Sequence, residues 1–451
     1  MNKLLLALFM AVTALQANAQ CWEKVISGPA ASAGIKSDGT LWVWGGTALL
    51  LGDNYQYSVK PTQVGTDNNW TLAALGVGYC LALKTDGTLW SWGDNGDGLL
   101  GDGTKTSRTI PAQVGNEANW AAIACGNSHN LALKTNGTLW GWGENSDGAL
   151  GGGTKTKSYV PKQIGTDSDW QFIEAGHHNS AAIKKDGTLW MWGLNDHGQL
   201  GSGTLSNIAV PTQTGTDTNW KSVVLGYLYT GALKTDATLW TWGYNSNGQL
   251  GNGTHTEVHI PTSTSTGQWA SISAAEAYYS MGGIKEDGSL WTWGDNETGV
   301  LGNNTLADSA VPLQIPSDVG WAAYSVEVGH SAALKADGSL WVWGANQLHL
   351  TPKDNPVLTP WQVQPPCTTA SLEQTDLQSI RIYPNPATGV LNIDNPAGIA
   401  ITGLIVYDIT GKTIMTQNGN SQINVQQLPA GLYVLKAVTN SGTATYTFIK
   451  Q

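Results

Sequence analysis

The side chains able to do acid–base chemistry in this 451-residue chain are few and scattered. His129 and His330 hold equivalent places, each eleven residues before a Trp-x-Trp pair, and His177 and His178 stand side by side. An imidazole serves as general base, as metal ligand or as a plain hydrogen-bonding group. With no nucleophile or carboxylate at a recognisable spacing, the third role is expected here. Glu174, Glu276 and Glu327 are isolated, whereas glycan hydrolysis needs two carboxylates facing one bond. The chain has no Gly-x-Ser-x-Gly, His-Glu-x-x-His, Gly-x-x-x-x-Gly-Lys or Cys-x-x-Cys, so the usual nucleophile, zinc, phosphate and redox sites lack a signature. Asp94, Asp97 and Asp102 follow no standard calcium spacing. In such loops Asp and Asn bond to their own backbone. No metal, no cofactor and no catalytic activity are expected.

Recognition is the better candidate, because the variable residues fall at equivalent places. The position of His129 holds Tyr79, Asn179, Tyr229, Ser280 and His330 in other copies of a repeat. Two residues earlier stand His177, Tyr227 and Tyr278, with His178 and Tyr279 beside them. All precede the same strand, which predicts one polar–aromatic rim that binds a partner. Lys105, Arg108, Lys155 and Lys157 predict a local basic patch. The tryptophans resemble sugar platforms in type, but strict repetition assigns them to the core. Trp361 alone stands outside that pattern.

The elements that position these residues follow from the repeat. Trp-x-Trp-Gly begins at Trp42, Trp90, Trp140, Trp190, Trp240, Trp291 and Trp341, and a second series runs through Trp22, Trp70, Trp120, Trp170, Trp220, Trp269 and Trp321. In the second copy, strands are expected at Thr62–Val64, Trp70–Leu75, Cys80–Lys84 and Thr88–Trp92. Asp86-Gly87 between apolar runs predicts a two-residue type I′ hairpin. In the fifth copy Asp236-Ala237 replaces it, which predicts local strain or a different turn. Four short strands repeated seven times predict an all-β, seven-bladed β-propeller of four-stranded blades. The first copy lacks a strand before Trp22, and Pro360-Trp361-Gln362-Val363 repeats Pro61-Thr62-Gln63-Val64. The last strand is therefore expected to complete the first blade. In the same register Cys21 and Cys367 fall beside each other, which predicts a disulfide. Cys80 and Cys125 lie in adjacent blades, either paired or as buried thiols.

Composition bounds the class. There are 22 Trp and 56 Gly against 3 Phe, with a net charge of −11. An acidic surface argues against nucleic acid, whose phosphates need a basic one. Lys3, the apolar run Leu4 to Leu15 and Ala17-Asn18-Ala19 read as a signal peptide over residues 1–19. No later run is long enough for a transmembrane helix.

The pattern Ala-Leu-Lys-x-Asp-Gly-Thr-Leu-Trp-x-Trp-Gly, followed by Asn-x-x-Gly-x-Leu-Gly-x-Gly-Thr, resembles the regulator of chromosome condensation repeat family. It covers about 345 residues, carried in copy two by Leu81 to Gly93, Asn95, Gly98 to Gly101 and Gly103-Thr104. Copy seven departs after Gly344, with Gln347-Leu348-His349-Leu350. The family includes a eukaryotic nucleotide-exchange and chromatin-binding member and a secreted bacterial inhibitor, so the resemblance implies a protein-interaction scaffold. The tail resembles a type IX secretion (Por) sorting domain of type A. Its matching pieces are Tyr383-Pro384-Asn385-Pro386, Gly389 to Ile393, Val406-Tyr407-Asp408, Leu428 to Tyr433 and Phe448-Ile449-Lys450. This implies outer-membrane export and contact with the export machinery. The expected organisation is a signal peptide over 1–19, a propeller over 20–367, a linker over 368–378 and a small β-sandwich sorting domain over 379–451. The expected function is a secreted or cell-surface module binding a protein partner through loops on one face. A glycan-binding or glycan-cleaving protein and an adhesion or matrix protein are the alternatives.

Overall fold

The computed structural model describes residues 22–28, 31–45, 58–264, 267–275, 278–315, 319–327, 329–345, 356–364, 381–395, 401–408, 412–419, 421–439 and 442–451. The expected signal peptide (1–19), Cys21, Cys367, the expected linker (368–378) and Gln347 to Leu350 lie outside them, as does the side chain of Glu327. Glu276 does too.

Gln20–Cys367 forms one compact unit, within which seven antiparallel sheets of four strands follow one another. Blade 2 shows the plan, with Trp70–Gly76 innermost, then Tyr79–Lys84, Leu89–Gly93 and Arg108–Gln113 outermost. The third strand alternates in use. Trp92 packs with Trp70 and Cys80 toward blade 1, while Leu89 packs with Trp120 and Trp142 toward blade 3. Sheets of this kind have no solvent face, so both sets of side chains are apolar or small.

Each copy repeats a stack on the face that carries the Asp-Gly turns. In blade 3, Lys134 Nζ sits 3.5 Å from the Trp140 ring centre and 4.8 Å from that of Trp120. Glu117 Oε1 lies 2.6 Å from the same ammonium. A cation held between two indoles gains quadrupole attraction while its stem covers apolar surface. The stack explains why an almost completely buried lysine recurs beside tryptophan.

The Asp-Gly turn departs from the sequence expectation. Gly87 has φ +77°, but Asp86 is not left-handed. Gly87 N–H donates to Lys84 O at 2.9 Å and Lys84 N–H to Thr88 O at 3.2 Å, so a turn closed by one left-handed glycine replaces type I′. Asp86 Oδ1 accepts from Thr88 N–H and Oγ1, and Thr88 Oγ1 accepts from Trp90 Nε1 at 2.8 Å. The aspartate is there to cap this chain of bonds. Ala237 adopts φ +64° at the equivalent place, the strain expected of copy five.

Ring closure also differs. The first blade is built from its own four strands, Trp22–Ser27, Ala31–Lys36, Leu41–Gly45 and Ser58–Gln63. Val357–Gln364 pairs instead with Leu340–Gly344 of blade 7. The Pro-containing strand thus ends the blade before it rather than opening the next. Blades 7 and 1 meet through side chains: Trp22 and Trp44 pack with Leu334 and Leu340. Cys80 and Cys125 are both buried and not joined by a disulfide, and burial pushes the Cys80 thiol well up.

In the C-terminal unit, Arg381–Tyr383, Val390–Asp394 and Gln422–Asn424 form one sheet. Thr413–Asn418, Ile401–Asp408, Gly431–Thr439 and Gly442–Lys450 form another. Leu391, Ile423, Leu404, Leu435 and Phe448 share one buried core. Among the described residues no helix is long and apolar enough to cross a membrane.

Candidate functional site

The hairpins between the first two strands of each blade, and the glycine-rich loops after the third, leave the ring on the same face. The loops are pinned from within. Buried Asn245 donates Nδ2 to Thr254 O and Thr256 O at 3.0 Å each, and its Oδ1 accepts Leu250 N–H at 3.0 Å. Asn95, Asn145, Asn195 and Asn296 do the same in their blades. Loops fixed in this way present their outward side chains at low entropic cost.

On blades 4 to 6 those side chains form a continuous strip. The rings of His178 and His177 are 4.3 Å apart, His177 and Tyr227 4.7 Å, and Tyr227 and Tyr279 5.5 Å. Tyr279 is 5.1 Å from Tyr244, which is 4.8 Å from His197. All six are partly exposed. Carboxylates hold both ends: Asp147 Oδ2 lies 3.4 Å from His178 Nδ1, and Glu257 Oε1 lies 2.8 Å from His197 Nδ1. Burial, followed by the neighbouring His178, lowers the His177 pKa to about 4, so this imidazole is neutral at physiological pH. Burial also raises the Tyr279 phenol and the Asp295 carboxyl beside it.

Leu228 sits between Tyr227 and Tyr229 at φ +64°. Blades 2 and 7 place glycine there, Gly78 and Gly329. A left-handed leucine costs about 1–2 kcal/mol, and strain of this kind gathers where a loop must present a particular side chain.

Half of the expected rim is interior. Tyr79, His129, Asn179, Tyr229 and His330 are buried. Each opens the second strand opposite a glycine of the third, as Tyr79 does opposite Gly93, and turns inward between blades. Tyr79 Oη lies 2.9 Å from Asn130 Oδ1 of blade 3. Tyr229 Oη donates to Ser280 O of blade 6 at 2.6 Å. His129 Nε2 is 2.8 Å from Ser180 Oγ of blade 4, and burial lowers its pKa to about 3. These residues join blades. Tyr278 packs against Val300, Leu301 and Val326, because the blade 6 hairpin is two residues longer and brings Tyr279 to the strip instead. Trp361 packs into the blade 7 core. Two of the four basic residues are paired with carboxylates, Arg108 with Asp102 and Lys157 with Asp97 and Glu144, while Lys105 Nζ lies 5.1 Å from the Tyr159 ring centre. The acidic loop is engaged too, since Asp102 Oδ1 caps Thr104 N–H at 2.9 Å and Asp94 Oδ1 accepts from Ser107 Oγ at 3.0 Å. Sequence reasoning missed Tyr244 and His197, although Tyr244 stands where Asp94, Glu144 and Leu194 stand in other copies.

The innermost strands enclose a central cavity of about 280 Å³. At one level it is lined by seven equivalent residues, Ile26, Ala74, Ala124, Glu174, Val224, Ser273 and Ser325. Glu174 is the sole carboxylate among its described lining residues. Its side chain is partly exposed to the channel, and the surrounding protein pushes its pKa up to about 8 through desolvation.

Comparison with known proteins agrees with this architecture. The RCC1-like domain family matches residues 11–281, and the regulator of chromosome condensation (RCC1) repeat matches residues 287–334. The secretion system C-terminal sorting domain matches residues 381–451. No curated protein sequence matches the chain. Among solved structures, human WBSCR16 is 21% identical with a TM-score of 0.63, covering 75% of this chain and 94% of its own. Prp20p from Saccharomyces cerevisiae, described with its binding to Gsp1p and histones, is 20% identical with a TM-score of 0.64, covering 81% and 90%. Yeast RCC1 (Prp20) in complex with Kap60 is 18% identical with a TM-score of 0.64, covering 85% and 93%. At these identities the likeness is one of fold. The sorting domain marks the chain for type IX export to the cell surface or the medium.

Proposed function

Because the chain belongs to the RCC1-like domain family and ends in a secretion sorting domain, we propose that it is an exported binding module engaging a protein partner through the strip from His178 to His197. Residues 1–19 hand it to inner-membrane export and the tail to the outer-membrane machinery. The observation that carries this reading is the ring-to-ring continuity of six partly exposed aromatic and imidazole side chains over three blades. Tyrosines of this kind supply large contact area and a polar tip at small entropic cost, which is why they anchor interfaces. That Prp20p binds proteins on the same scaffold supports the choice of ligand class.

The test compares wild type with Tyr227→Ala/Tyr279→Ala and with Lys185→Ala on the opposite face. Each is incubated with extracellular and surface proteins and with a glycan panel. A protein held by wild type and Lys185→Ala but weakened about 30-fold or more in the double variant is the expected result. Undiminished capture by the double variant would remove the strip from the interface. Capture of a glycan in place of a protein would make the strip a stacking platform for sugar.

A further inference from the structure

The central cavity is independent of the strip reading, and its chemistry is unusual for this chain. Six of the seven side chains at its lining level are Ile, Ala, Val or Ser, so the fold places no demand for charge there. The seventh, Glu174, makes no hydrogen bond or ion pair among the described residues, and its cross-strand partner is Ala181. An unpaired carboxylate in apolar surroundings costs several kcal/mol when ionised. Alanine, valine or serine at this place, as in the other blades, would avoid that cost.

We propose that the channel binds a primary alkylammonium group, its cation paired with Glu174 and its carbon chain lying along Ile26, Ala124, Val224 and Ile272. The charge of the ligand neutralises the one charged wall residue, and its short carbon chain packs on the Ile, Ala and Val side chains of the wall. Each inner strand is the edge of its sheet, so backbone N–H and C=O groups border the channel beside these side chains. A hard divalent cation is a poorer match, since its sites gather several carboxylates and the described wall offers one. The volume of about 280 Å³ equals roughly nine water molecules of liquid, enough for an amine of six or seven heavy atoms. A free amine and the lysine side chain of a partner share this chemistry.

Proton bookkeeping sharpens the test. At neutral pH the Glu174 carboxyl holds its proton. Binding an ammonium ion therefore releases that proton to solvent as the ion pair forms. The other titratable side chains on the wall are Cys125 from blade 3 and Tyr324 from blade 7, and burial pushes the Tyr324 phenol up, so it stays neutral throughout. His177, on the hairpin following Glu174, is neutral across the same range.

Isothermal titration of the full-length protein with n-hexylammonium chloride and with Nα-acetyl-lysine amide, in buffers of differing ionisation enthalpy, tests the proposal. n-Hexanol is the neutral control. Wild type should bind at least one of the amines with release of about one proton at pH 7. Affinity should rise about tenfold from pH 6 to pH 7 and level off above pH 9. Glu174→Gln, which keeps the volume and removes the charge, should weaken amine binding at pH 9 at least tenfold and abolish proton release. Hexylammonium alone would assign a free amine, and the lysine amide would assign a partner's side chain. No heat from either amine at millimolar concentration, equal binding by Glu174→Gln, or hexanol binding as tightly as hexylammonium would overturn it.

Discussion

Replacing Glu174 by glutamine should stabilise the propeller, and by an amount that grows with pH. The folded carboxyl titrates at about 8 against an ordinary value of 4.5, and burial is the cause. The native state thus binds the proton more tightly than the unfolded chain does. Stability is complete below pH 4.5 and is lost as pH rises through 8. At about 1.36 kcal/mol per pH unit this interval amounts to roughly 5 kcal/mol, a ceiling because water in the channel screens part of the charge. Glutamine has the same shape and never ionises. Urea unfolding followed by tryptophan fluorescence isolates the effect, because all 22 tryptophans lie between Trp22 and Trp361 and the tail contributes none. The variant should exceed wild type by less than about 1 kcal/mol at pH 5 and by several kcal/mol at pH 9. Groups that titrate at acid pH, such as Asp86 and Asp186 with their carboxyls held down by Thr88 and Thr188, are common to both proteins and cancel. A difference that does not change with pH would refute the reasoning, because it would mean that Glu174 is hydrated and ionised in the folded ring.

Four further outcomes follow from particular contacts. Tyr229→Phe leaves the buried Ser280 carbonyl without its 2.6 Å donor and should lower stability by about 1–2 kcal/mol in urea while leaving partner capture intact. Ala237→Gly should raise stability by about 1 kcal/mol in the same assay, since it relieves a left-handed alanine at some cost in chain entropy; a loss would mean that the turn is unstrained. Asn245→Ala removes the buried anchor of its loop, and limited proteolysis should then nick residues 246–256 first. Deleting residues 381–451 should hold the chain in the periplasm, read by fractionation and immunoblot; normal secretion of the truncated chain would contradict the role of the tail.

Much of the fold is legible because the same side chain meets the same neighbours seven times. Trp90 at one place in copy two and Trp140 at the same place in copy three announce strand, face and core together. What escaped the sequence were choices between equivalent partners. The strand around Pro61 lies between two blades along the chain, and spacing is the same whichever one it joins. Val64 N–H reaching Leu41 O at 2.8 Å decides for the blade before it. Asp86-Gly87 carries the composition of a two-residue hairpin, yet the hydroxyl of Thr88, two residues on, draws the aspartate into a cap and lengthens the turn.

The rim shows the same limit at the scale of one residue. The His177 position lies two residues before the His129 position, in the hairpin and not on the strand, so variability at the two looks alike in sequence while one side chain turns toward the next blade and the other stays partly exposed. Tyr79 and Tyr229 vary because each must fit a different neighbour, Asn130 in one case and Ser280 in the other. Tyr227 and Tyr244 vary under no such packing constraint. Departure from a repeat therefore carries functional meaning only after the inter-blade contacts have been subtracted. After that subtraction two departures stand out, the strip on blades 4 to 6 and Glu174. They lie three residues apart along the chain, at the end of one inner strand and on the hairpin that follows it. On the proposed reading, blade 4 is where the strip and the channel carboxylate come closest along the chain, so substitutions there are the ones that separate the two proposals.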